Sequence, residues 1–256
     1  MKKTFCVLVA LCCGLLFTFV FAAEKKYGPG VTDTEIKIGE TVPYSGPASA
    51  YATCGTVHTR FFQSLNEKGG INGRKIKLIS LDDAMMPPKT VEQVRRLVES
   101  DEVLLLFGVL GPGGLAVLNY VDKHKVPNLF PSGAQRKYHM PDKHPWTMGW
   151  VPSFDFEGRV FARFILDNKP NAKIGILWEN NDMGGEEVQG FKAGLGARAA
   201  KMIVAEQSYL LTDPTIHSQI ITLKGAGADT VINLSTPKFA EQAIRKIHSM
   251  GGIRCT

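Results

Sequence analysis

Two glycine-rich turns carry the residue types best suited to binding chemistry. Gly111-Pro112-Gly113-Gly114 separates the apolar run Val103–Phe107 from a helical pattern, and Ser132-Gly133-Ala134 follows the short apolar segment Pro127-Asn128-Leu129-Phe130. N–H groups at a helix start, reinforced by the helix dipole, attract a carboxylate or phosphate. Glycine lets such a ligand approach the main chain. Gly111, Gly113 and Gly114 are therefore candidate main-chain contacts, although Pro112 removes one donor. Ser132 adds a hydroxyl, and Gly133 and Ala134 add further N–H groups. Either turn alone serves equally well as a plain connection; the functional reading rests on the pair. Tyr44 and Tyr51, in a loop of small residues, are candidate pocket walls.

Other reactive residues point to no chemistry. Asp82 and Asp83 are neighbours at a strand end and face opposite ways, which suits helix capping better than a shared substrate. His139 and His144 lie in a Pro-rich segment without a third ligand, so no metal is expected. Ser45 and Ser132 have no evident histidine partner, and the GxSxG, HExxH, GxGxxG and phosphate-loop patterns are absent. No catalytic residue and no cofactor is expected.

The elements that must position the two turns form a series. Ile36–Gly39 begins a strand, Val57, Phe61, Phe62 and Leu65 fall at helical spacing, and Ile76–Leu81 makes a second strand. Pro87-Pro88 opens a helix striped by Val91, Val94, Leu97 and Val98. The run Val103–Phe107 reads as a strand buried on both faces. This alternation predicts a parallel, doubly wound sheet, whose ligands bind outside the carboxyl ends of the strands. Tyr138–Pro152 is turn-rich and marks a boundary, with Trp146–Val151 as a possible extended crossing segment. A second α/β series follows, with strands at Lys173–Trp178, Met202–Ala205 and Thr230–Leu234. The expected division is 24–149 for one lobe and 150–256 for the other.

Bulk properties narrow the class further. The 256 residues carry 30 basic and 24 acidic side chains, a net charge of +6, with 44% hydrophobic residues. The basic residues are scattered among acids, which argues against nucleic acid. Lys2-Lys3, the apolar run Phe5–Phe21 and Val20-Phe21-Ala22 read as a cleaved signal peptide over 1–23, so an exported protein is expected. Cleavage leaves Cys54 and Cys255, at opposite ends of the chain, where a bridge is not expected.

The order of short motifs carries a resemblance. Ile36-Lys37-Ile38-Gly39, Pro43-Tyr44-Ser45-Gly46-Pro47, Lys68-Gly69-Gly70-Ile71-Asn72-Gly73, Leu81-Asp82-Asp83-Ala84, Pro87–Glu92 and Phe191–Leu195 together resemble the periplasmic branched-chain amino-acid binding proteins of ABC importers. The resemblance implies a type I Venus-flytrap fold, α/β, of two doubly wound lobes, the second incomplete. It implies a monomer that passes a small carboxylate or amino-acid ligand to a membrane permease, with aromatic or other organic acids, or a sensory role, as alternatives. It places ligand contacts at Gly111–Gly114 and Ser132–Gln135 of the first lobe, near Tyr51, and near Met183, Ser235 and Thr236 of the second. The family has hydroxyl residues where the Gly-Pro-Gly-Gly turn stands, an aromatic at Met183 and often Thr or Ser at Gln135. Its members also continue beyond this length, and supply there the acid that meets a ligand ammonium. The 256 residues alone are accordingly expected to bind weakly or not at all.

Overall fold

The computed structural model describes residues 27–251 and the backbone of 254–255. The expected signal peptide and the Cys255 side chain lie outside the described residues. Among the described residues no helix is long and apolar enough to cross a membrane, and Cys54 is a free thiol.

The first sheet is built from β1 (Glu35–Val42), β2 (Lys75–Asp82), β3 (Leu105–Phe107), β4 (Asn128–Leu129) and β5 (Thr147–Met148), in the order β2-β1-β3-β4-β5. Every pairing is parallel. Helices α1 (Ala52–Glu67), α2 (Pro87–Glu99) and α3 (Gly113–His124) connect the strands, as parallel pairing requires. Ile38 of β1, Leu106 of β3, Leu97 of α2 and Val117 and Val121 of α3 are all buried in this half. A Cβ at Gly39 would stand 2.9 Å from Leu97 Cδ2, so β1 is bare where α2 crosses it. The apolar run at Val103 enters the sheet later than expected. Val103 N–H donates to Leu97 C=O at 3.1 Å, closing the end of α2 rather than a ladder.

The second sheet contains β6 (Ile174–Glu179), β7 (Ile203–Tyr209), β8 (Thr230–Leu234) and β9 (Arg254–Cys255), in the order β7-β6-β8-β9, again all parallel. Its helices are α4 (Phe154–Asn168), α5 (Asp182–Leu195), the single turn α6 (Ala199–Met202), α7 (His217–Gly225) and α8 (Pro237–Met250). Ile174, Ile176 and Leu177 of β6 have no solvent exposure, and Phe191 of α5 joins Ile174 and Ile176 in one apolar cluster. β7 runs four residues past the expected end at Ala205. Its later residues alternate, with Glu206 and Ser208 exposed and Tyr209 buried, so they read as polar chain until the pairing with β6 is known.

Both sheets share one topological consequence. The chain turns one way from β1 to β2 and the other way from β3 onward, and does the same about β6. The crevice at such a reversal, outside the strands' carboxyl ends, is where open α/β sheets bind ligands. The reversals lie between β1 and β3 and between β6 and β8.

Candidate functional site

The two reversals open on one cavity of about 280 Å³ between the sheets. From the first sheet, the segment after β1 supplies Ala48, Tyr51 and Cys54, the turn after β3 supplies Leu110, Gly111 and Pro112, and the loop after β4 supplies Ser132, Gly133 and Gln135. From the second, Glu179, Asn181 and Met183 follow β6, Leu211 follows β7, and Thr236 follows β8. Met85 and Phe154 complete the wall.

Seven of the eleven expected contacts thus line the cavity: Tyr51, Gly111, Ser132, Gly133, Gln135, Met183 and Thr236. Gly113, Gly114, Ala134 and Ser235 stand outside it. A Cβ on Gly113 would collide with the Thr90 side chain, and one on Gly114 with the Tyr138 hydroxyl. These two glycines seat α3 against its neighbours. The Ala134 carbonyl accepts from Phe154 N–H at 2.8 Å, tying the β4 loop to the start of α4. Tyr44, the other candidate wall, turns away and bonds Ser80 Oγ at 2.5 Å.

The polar groups of the cavity differ between its sides. Gln135 is 3% exposed and its Oε1 has no hydrogen-bond partner. Glu179, 5% exposed, closes the opposite side. Asn181 Nδ2 donates to its Oε1 at 2.7 Å and the Tyr209 hydroxyl to its Oε2 at 3.4 Å. The Tyr209 hydroxyl in turn accepts from Thr236 N–H at 3.0 Å. Burial raises the Glu179 carboxyl above its usual range, opposed by hydrogen bonds with Thr236, Tyr209 and Asn181. Burial, then Glu179, pushes the Tyr51 hydroxyl up to about 12, so it stays protonated at neutral pH.

Met85 reaches the cavity through an unusual loop. Ala84 and Met85 have φ of 51° and 61°, a conformation that side chains resist. Two carboxylates hold it. Asp82 Oδ1 accepts from Ala84 N–H at 3.0 Å, and Asp83 Oδ1 from Met85 N–H at 2.9 Å. Asp83 Oδ2 accepts from Thr90 Oγ1 at 2.8 Å, and Thr90 abuts Gly113. The expected helix capping by the two aspartates is therefore replaced by loop closure; the residue before α2 is Met86, which makes no side-chain cap. Asp83→Ala should lower unfolding stability by about 1–3 kcal/mol, because it strands buried donors. Chemical denaturation measures this, and a change within about 0.5 kcal/mol would remove the loop-closing role.

Sequence reasoning passed over Glu179, Asn181, Met85 and Phe154. Glu179 had one visible sign, a lone charge at the carboxyl end of an apolar strand. No metal-binding group of three His, Cys, Asp or Glu side chains occurs among the described residues; His144 instead pairs with Asp122 at 2.7 Å.

This two-sheet architecture with an interlobe cavity is that of a type I periplasmic binding protein. Residues 35–254 match the sequence profile of the family described as "Periplasmic binding protein", and the chain belongs to that family. Among curated relatives, "Leu/Ile/Val-binding protein homolog 7" of Brucella abortus (strain 2308) is 24% identical over 227 residues, covering 83% of this chain and 55% of the relative. Among solved structures, a fatty acid ABC transporter substrate-binding protein from Thermomonospora curvata superposes with a TM-score of 0.76 at 23% identity, over 88% of this chain and 57% of that one. The branched-chain amino acid transporter substrate binding protein LivJ from Streptococcus pneumoniae, in complex with isoleucine, gives 0.75 at 20% identity, over 86% and 63%. These structures share the fold with ligands that differ from one to the next. The chain spans about half the length of the curated relatives it matches.

Proposed function

We propose that this chain is the ligand-capturing component of an ABC importer, acting outside the cytoplasm as a monomer. It encloses a small carboxylate ligand between its lobes, 24–149 and 150–256, and presents it to a membrane permease without chemical change. The observation that carries this reading is the convergence of the loops after β1, β3, β6 and β8 on one cavity. Its wall is largely apolar, with Ala48, Met85, Leu110, Phe154, Met183 and Leu211, which fits an apolar ligand body. On the first lobe, the Ser132 hydroxyl and the Gln135 N–H are the groups we assign to a ligand carboxylate, because the N–H groups of Ser132 and Gly133 already donate to the carbonyls of Val109 and Pro131. The ligand of choice is a branched-chain or other apolar amino acid, and an aryl acid is the competitor that the assay must include.

The test is a thermal-shift screen of the purified chain with leucine, isoleucine, valine, benzoate and dihydroxybenzoate, each beside its carboxamide. Binding to the folded state raises the melting temperature. A shift with at least one acid that is lost with its amide is the expected result. Amides that bind as well as their acids would remove the carboxylate reading. Ser132→Ala should weaken the best ligand roughly 10-fold or more, the typical loss of a hydrogen bond to a charged group.

A further inference from the structure

We propose that Met85 sets the length of ligand this cavity accepts, its thioether filling the place that a side chain at Gly111 would take. This rests on the capture reading above and names the residue that selects among apolar ligands. A Cβ on Gly111 would collide with Met85 Sδ. On that side the turn after β3 meets the cavity through a methionine side chain, and both residues line the wall. Met183 supplies a second thioether from the other lobe. Methionine is unbranched and adaptable, so such a wall follows an apolar chain until the chain outgrows the space.

The backbone carries the same message. Met85 has a φ of 61°, where glycine is the ordinary occupant and a side chain is strained. The loop tolerates it because successive N–H groups are held. Ala84 N–H donates to Asp82 Oδ1, Met85 N–H to Asp83 Oδ1, and Met86 N–H to the Asp83 carbonyl at 2.9 Å. A methionine anchored in this way can turn its side chain but cannot withdraw its Cα. Its neighbour behaves differently: Met86 is 56% exposed and stands outside the cavity, whereas Met85 lines it. With about 280 Å³ to share between a carboxylate and its apolar body, the bulk of one methionine side chain decides how many methylenes fit.

The experiment is calorimetric titration with butanoate, hexanoate and octanoate, each beside its carboxamide. The proteins are the purified chain, Met85→Gly, Met85→Ala, Met85→Leu and Met86→Ala. Glycine suits the backbone at position 85, so Met85→Gly should fold at least as well as the unaltered chain. In the unaltered chain affinity should stop rising before octanoate. Met85→Gly and Met85→Ala should raise the octanoate-to-hexanoate affinity ratio roughly 10-fold, the gain of burying two more methylenes. Met85→Leu, of similar bulk, should keep most of the original limit, and Met86→Ala all of it. Affinity that keeps rising through octanoate in the unaltered chain overturns the role of Met85. A ratio unchanged by both truncations, or changed as much by Met86→Ala, overturns it too, and either result leaves the capture reading standing. Amides that bind as well as their acids with the same length limit would overturn the carboxylate reading and leave Met85 its role. Failure of every acid and amide to bind the folded unaltered chain overturns both.

Discussion

Glu187→Gln should stabilise the protein at pH 8 by on the order of 4 kcal/mol and leave it nearly unchanged near pH 4.5. Glu187 lies on α5, 6% exposed, with no hydrogen-bond partner for its Oε2. Burial, followed by the nearby charges of Glu157 and Glu179, pushes its carboxyl up from 4.5 to about 8. The unfolded chain releases this proton near its ordinary value, whereas the folded chain keeps it until about pH 8. Its favourable contribution is therefore fully present below about 4.5 and is lost as pH rises through about 8. Glutamine mimics the protonated acid and carries no such loss. Urea unfolding of both proteins across this range measures the difference. Two stability curves that stay parallel from pH 5 to 8 would contradict the raised carboxyl.

The second large effect concerns the scaffold beneath the same wall. Gly190→Ala should destabilise the protein by about 1–3 kcal/mol or more, while Gly185→Ala on the same helix should be neutral or stabilising by up to about 1 kcal/mol. Helices α4 and α5 meet backbone to backbone. A Cβ at Gly190 would collide with the Asp155 carbonyl, one at Gly158 with the Glu187 carbonyl, and one at Gly194 would stand 2.6 Å from Ala162 Cβ. Main-chain atoms cannot swing aside as a flexible side chain does, so the helices must separate. At Gly185 an added Cβ meets nothing within 4 Å, and alanine is simply the better helix former. Thermal melts of the two variants decide the matter; equal shifts would show that the close approach is not what holds the helices. Met183 lies in the first turn of the helix concerned, so Gly190→Ala should also weaken any ligand that touches it.

Much of this arrangement is legible before any coordinates. Alternating apolar strands and striped helices specify two parallel sheets, and the carboxyl-edge rule then selects Gly111, Ser132 and Gly133. What the chain order hides is which neighbour a small residue faces. Gly113 and Gly114 look like ligand-cradling glycines, yet Thr90 and Tyr138 take the space their side chains would fill. Asp82 and Asp83 look like caps, but the left-handed pair Ala84-Met85 needs them as loop acceptors. Glu179 is the clearest case. It ends the apolar strand β6, yet it lines the cavity between the two sheets. Its burial and its bonds with Asn181 and Tyr209 are properties of the packed protein alone.

On the proposed reading the ligand is held from both lobes at once. Calorimetric titration of the best carboxylate from the screen, into the unaltered chain, Ser132→Ala and Thr236→Ala, tests it most directly. Ser132 belongs to the first lobe and Thr236 to the second, and both line the cavity. Ser132→Ala should weaken binding roughly 10-fold or more and Thr236→Ala roughly 3-fold or more, each with little change in melting temperature. Full affinity retained in both variants, or loss confined to one lobe, would contradict it.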